Sequence, residues 1–160
     1  MQSPSSSHIP EIPQARATTL LVDLQFLLDR RLYHQLPSNE VAPGFADSKH
    51  QPPLGAPLES LIQAGHFRRA AETALIDLLA SSAGDANRVF KLLYTRLACL
   101  VVISRPELAA DEAVPLTEFL NRNTPEAKDI LPIVPWELRL LLVRLQSMAS
   151  SDDGRRAIMS

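Results

Sequence analysis

Leu61-Ile62-Gln63-Ala64-Gly65-His66-Phe67-Arg68-Arg69-Ala70-Ala71 is the stretch on which the reading of this chain turns. It joins the end of a short apolar helix to a glycine, then an aromatic, then a small residue three positions on. Gly65 suits the left-handed conformation that closes a helix, because it has no Cβ to clash. Phe67 is placed to fill the corner, and Ala70 lets two backbones approach closely. The segment predicts a tight hairpin of antiparallel helices and, with it, an all-α chain.

The text downstream has the same character. Leu58 to Ala64 forms the short first arm and Phe67 to Ala80 the second, with Phe67, Ala71, Ala74 and Leu78 along one side. Gly84 ends that hairpin, and Asp85 or Asn87 is available to cap the next helix. This third helix, about Arg88 to Ile103, is apolar nearly all round and therefore belongs between neighbours. Ser104 and Pro106 start a fourth helix to about Leu120, with a kink or break expected at Pro115. Residues 121–134 read as a connector, with one turn begun at Thr124 and Pro125. Pro135 then opens a last helix, Trp136 to Ala149, with Trp136 expected to pack at its entrance. Gly154 reads as the turn that begins a further repeat.

Upstream of Leu58 the text changes. Eight of the 13 prolines lie there. Residues 1–17, rich in serine and proline, are expected to be disordered for want of apolar content. Residues 18–36 carry Leu21, Leu24, Leu28, Leu32 and Leu36 along one side and predict an amphipathic helix stopped by Pro37. Residues 37–57 read as a proline-rich tether. A lone helix with a leucine stripe must dock on the second half or on a partner, so Leu24, Leu28 and Leu32 are candidate partner-binding residues. Arg68 and Arg69 join them: cations at a helix start oppose the macrodipole, which hints at a partner carboxylate.

Composition narrows the function. A net charge of −2 gives no support to nucleic-acid binding. The apolar run Leu97 to Ile103 is far short of a membrane span. No basic start and apolar run mark a leader at the N-terminus. The single cysteine, Cys99, cannot form an internal disulfide and reads as a small core residue in a reducing, cytosolic setting. His8, His34, His50 and His66 are scattered without metal-ligand spacing. Asp152-Asp153 reads as a cap or a solvated pair. Arg96 and Arg144 sit in apolar helices and call for acidic partners or an exposed groove, with structural pairing the expected answer. No acid, base, metal or phosphate-loop constellation appears, so no catalytic, cofactor or metal residue is assigned and an enzyme is not expected.

Glycine, aromatic and alanine at the places of Gly65, Phe67 and Ala70 mark the middle of a tetratricopeptide repeat. Two short echoes support repetition: Leu92-Leu93-Tyr94-Thr95-Arg96-Leu97 returns in form as Leu140-Leu141-Leu142-Val143-Arg144-Leu145, and Arg68-Arg69-Ala70 as Arg155-Arg156-Ala157. The expected architecture over residues 58–160 is a tetratricopeptide-like array of antiparallel helical hairpins, truncated at the C-terminus.

The quoted corner, then Leu93 to Leu100, Val134-Pro135-Trp136-Glu137-Leu138-Arg139 and Arg144-Leu145-Gln146, in this order, resemble the family of twelfth subunits of the TRAPP vesicle-tethering complex, in its filamentous-fungal form. Phe26 to Pro37 resembles the N-terminal region of that form. The resemblance implies a non-catalytic, peripheral subunit that contacts other large peripheral TRAPP subunits, in endoplasmic reticulum to Golgi transport and autophagy. It implies an indirect link to a Rab-type GTPase, and a cytoplasmic protein associated with Golgi or transport vesicles without membrane insertion. Members of that family continue with further helical repeats. An unrelated tetratricopeptide adaptor is the rival binding module, and a small all-α enzyme the rival from another class.

Overall fold

The computed structural model describes residues 22–37, 44 and 49–158, and among them every regular element is helical. Six α-helices follow one another: α1 (Leu58–Gln63), α2 (Phe67–Leu79), α3 (Ala86–Val102), α4 (Pro106–Asn121), α5 (Pro125–Ile130) and α6 (Trp136–Ile158). No described helix is long and apolar enough to cross a membrane.

Gly65 takes φ +80, as the corner requires. Its N–H donates to Ile62 O at 3.1 Å, and the His66 N–H donates to Leu61 O at 2.8 Å. Those two bonds close α1 and satisfy carbonyls that the helix end would orphan. Ala70 is fully buried, and Phe67 packs against the core. The arms are unequal, since α1 has six residues and α2 has 13.

The corner between α3 and α4 repeats this hydrogen-bond pattern without a glycine. Ser104 takes φ 64; its N–H donates to Val101 O at 3.0 Å, and the Arg105 N–H donates to Leu100 O at 2.8 Å. Among the described residues two side chains cap α-helix starts. Asp85 Oδ1 accepts from the Arg88 N–H at 3.2 Å, and Thr124 Oγ1 from the Ala127 N–H at 3.3 Å.

The helices stack in an antiparallel series. Near the α2–α3 turn, Arg88 Nε donates to Ser81 Oγ at 3.1 Å, while further along Arg96 Nη1 donates to Ala71 O at 3.1 Å. Residue numbers that fall on one helix as they rise on the other mean opposite directions. Arg96 also reaches Glu112 across the α3–α4 corner, and α6 packs along α4. Leu78, Leu93, Leu97, Leu100, Leu116, Leu138 and Leu145 are buried in the resulting core. Each contributes about 1.5–3 kcal/mol by leaving water.

Four sequence expectations need correction. Pro115 does not break α4, which runs unbroken from Pro106 to Asn121. The carbonyl that loses its helical partner belongs to Asp111, an exposed residue. Gly154 does not make a turn, because α6 continues through it to Ile158. A glycine inside a helix costs only about 1 kcal/mol relative to alanine. Trp136 stands 63% exposed instead of packing inward.

The fourth correction concerns the N-terminal segment. Residues 22–36 form no α-helix; two 3-10 turns, Gln25–Leu28 and Arg30–Leu32, are separated by Asp29 in an extended conformation. Asp23 Oδ1 accepts from the Gln25 N–H and Asp29 Oδ1 from the Arg31 N–H, both at 3.0 Å. Aspartates that bond their own backbone two residues on compete with helix. Arg31 also forks onto Asp29 at 2.7 Å, and its guanidinium holds that carboxyl down at about 2. The expected disorder of residues 1–17, the helix start at 18–21 and residues 38–43 and 45–48 of the expected tether lie outside the described residues.

Candidate protein-interaction surface

The ionic chemistry of the interior holds helices together. Arg96 is fully buried, and its guanidinium meets Glu112 twice, Nε to Oε2 at 3.0 Å and Nη2 to Oε1 at 2.7 Å. The remaining donors reach Ala71 O at 3.1 Å and His34 O at 2.8 Å. The His34 N–H in turn donates to Glu112 Oε1 at 2.8 Å. One planar fork thus ties α2, α3, α4 and the N-terminal segment. Desolvating such a pair is tolerable only with every lone pair and proton engaged. Among the described residues no buried side-chain nitrogen or oxygen lacks a hydrogen bond. Sequence spacing indicates that Arg96 needs an acid; it does not single out Glu112.

The residues that the sequence nominated for partners are engaged within the chain. Leu24 is fully buried, its N–H donating to Ala83 O at 3.0 Å. Leu27, which the stripe reading left out, is buried in place of Leu28 and Leu32, which are half-buried. Phe26 stacks on Phe119 with ring centroids 4.8 Å apart. Tyr33 donates its hydroxyl to Leu27 O at 2.5 Å, and burial, helped by the Glu112 charge, pushes its pKa well up. Arg68 donates to Pro37 O, and Arg69 reaches Pro52 O at 2.5 Å and Pro53 O at 2.9 Å. The paired arginines therefore fasten both ends of the proline-rich stretch to α2. Backbone carbonyls, which proline-rich text leaves without a helical partner, take the place expected of a partner carboxylate.

The surface with spare binding capacity is α6. Its inner side buries Leu138, Leu142 and Leu145. Its outer side exposes Trp136 at 63%, Leu140 at 51% and Val143 at 65%. At about 100° per residue, these three fall within roughly 60° of one another, opposite the buried set. Arg139 lies over the Trp136 ring, 5.5 Å from its centroid, and fixes the edge of the stripe. The signal was present in the sequence as a run, Leu138 to Val143, too apolar for a helix with one covered side.

On the other side of α6 from this stripe, the seam between α4 and α6 opens into two clefts. One of 230 Å³ has Ala113, Val114 and Thr117 on one wall and Leu142 and Ala149 on the other. The second, of 580 Å³, is lined by Pro106, Met148, Glu107, Asp111, Asp152 and Asp153. Its carboxylates are not gathered for a metal: among the described residues no group of three or more ligand side chains is placed to hold one. Glu107 is 3.4 Å from Arg105, and Asp111 is 3.5 Å from His34 Nε2. Asp152 and Asp153 are exposed within α6 and do not cap it. Cys99 is buried in α3, and burial pushes its thiol up, away from the reactive thiolate. Against this geometry, no protein-family model matches the chain, and neither does any curated protein or solved structure.

Proposed function

We propose that this protein is a non-catalytic helical scaffold that works by binding other proteins along the α4–α6 side. In line with the resemblance of its sequence, we assign it to a TRAPP-type vesicle-tethering complex as a peripheral subunit. In that role it contacts the large peripheral subunits during endoplasmic reticulum to Golgi transport and autophagy, is linked to a Rab-type GTPase only through the assembly, and is cytoplasmic, resting on Golgi or vesicle surfaces through its partners.

One observation carries the reading as a binding scaffold. The α4–α6 layer presents an apolar cleft lined by Val114, Leu142 and Ala149 beside a helix whose outer stripe no described element covers. Among the described residues, buried charge is confined to the Arg96–Glu112 fork, whose polar atoms are taken up within the chain. Apolar clefts between helices suit a partner's side-chain knobs or an amphipathic helix. The test uses the full chain as bait for purified large peripheral TRAPP subunits. Recovery should fall at least tenfold with Val114→Asp, a half-exposed position whose change leaves the core intact. Absence of recovery by the unaltered chain would remove the TRAPP assignment, and recovery indifferent to Val114→Asp would remove the cleft.

A further inference from the structure

Trp136, Leu140 and Val143 form the outer stripe of α6, and two opposite charges beside it are centred between Leu140 and Leu141. Glu137 and Arg144 lie seven residues apart on one flank, either side of Leu140. Both are exposed, and among the described residues neither is in an ion pair. When two copies of a helix cross antiparallel about a two-fold axis, residues equidistant from the axis meet, and each flank faces its own copy. With the axis midway between Leu140 and Leu141, Glu137 and Arg144 each stand three and a half residues, about 5 Å, from it, so Glu137 comes against Arg144 of the second copy and Arg144 against its Glu137.

We infer that the outer face of α6 is a self-association surface, on which two copies of this chain pair antiparallel through Leu140. The inner architecture offers a precedent. Arg96, at the equivalent place in the echoed text of α3, is satisfied by a carboxylate on an antiparallel neighbour, Glu112 of α4. Arg144 lies exposed in water, and Glu137 of a second copy supplies it with a carboxylate. A parallel pairing would instead set Trp136 against Trp136 and leave Arg144 without Glu137. The inference deepens the scaffold reading proposed above, and it leaves the α4–α6 cleft to other partners. A stripe of three large side chains is small for a stable interface, so the dimer is a weak one, with a dissociation constant in the micromolar range.

Sedimentation equilibrium of the full chain, from about 5 to 500 µM, tests this directly. The chain should pass from monomer to dimer across that range. Leu140→Asp should hold it monomeric throughout, with an unchanged helical circular dichroism spectrum. Glu137→Arg and Arg144→Glu should each weaken the dimer about three- to tenfold, and the double exchange should restore it to within about twofold. A chain monomeric at every concentration, a dimer indifferent to Leu140→Asp, or a double exchange no tighter than the single ones would each overturn the inference. A monomeric chain that still binds TRAPP subunits through Val114 would overturn it while leaving the scaffold reading in place.

Discussion

Helices α3 and α6 carry nearly the same text, Leu92-Leu93-Tyr94-Thr95-Arg96-Leu97 and Leu140-Leu141-Leu142-Val143-Arg144-Leu145, in different surroundings. In α3, Leu92 is buried, and Arg96 is fully enclosed by Glu112, His34 and the Ala71 carbonyl. In α6, Leu140 is half-exposed, Val143 more so, and Arg144 faces outward. The difference is supplied by neighbours. Helix α3 has α2 on one side, α4 on another and the N-terminal segment sealing the polar fork. Helix α6 has α4 and α3 on its inner side, with no described element on the stripe. A helix that is apolar all round announces that it needs two neighbours, and the fold then shows how many it has found.

The largest effects should come from opening the closed helix. Glu112→Leu strands a buried guanidinium and the His34 N–H, and should cost about 3–5 kcal/mol in urea denaturation. Adding Arg96→Met should recover more than about 1 kcal/mol of that loss, because the pair is worth less than its broken half. The corresponding Arg144→Met on α6 should stay within about 0.5 kcal/mol, since its side chain lies in water. If it matched Glu112→Leu, the contrast between the two helices would collapse.

Smaller effects sharpen the comparison at the corners that set up these neighbours. Gly65→Ala should cost about 1 kcal/mol purely through its positive φ, since an added Cβ would meet nothing within 4 Å. Ser104→Gly should instead stabilise by about 0.5 kcal/mol, because Ser104 adopts the same backbone with a Cβ. Thermal melts of the two variants should move in opposite directions.

Tyr33 gives the seal over α3 a pH signature. Burial raises its pKa in the fold, so above about pH 10 the unfolded chain sheds a proton that the folded chain keeps. The unfolded state then binds fewer protons, and stability must fall as pH rises, by at most about 1.4 kcal/mol per pH unit from this group. Below the unfolded value the contribution is fully present. Tyr33→Phe should be less stable at neutral pH for loss of the bond to Leu27 O, yet should lose less on passing from pH 9 to about 11. Urea midpoints at the two pH values check the sign.

Much of this architecture was legible from residue types that report backbone directly. Gly65 marked a corner, Asp85 and Thr124 marked helix starts, and a charged residue in apolar text, Arg96, marked a need for an acid. The illegible parts depended on tertiary choice. Ser104 makes the same corner as Gly65, but serine does not advertise a left-handed backbone. The leucines of residues 22–36 keep a helical spacing, yet Asp23 and Asp29 turn the backbone onto themselves while Glu112 and Ala83 draw in His34 and Leu24. Trp136 follows Pro135 at a helix entrance, a place that by itself does not fix which side the ring takes, and it faces outward. The outer stripe was visible as excess apolar text, while its exposure depended on which neighbours the fold provides.

The central claim is that α6 uses one face to fold and keeps the other to bind. The direct measurement is the urea stability of Leu138→Ala beside Leu140→Ala, both at about 1 µM protein, where the inferred dimer is dissociated. Removing the buried Leu138 side chain should cost about 2–5 kcal/mol, and removing that of Leu140 less than about 0.5 kcal/mol. Equal losses from the two substitutions would mean that the outer face is already part of the folded core, and would contradict the account.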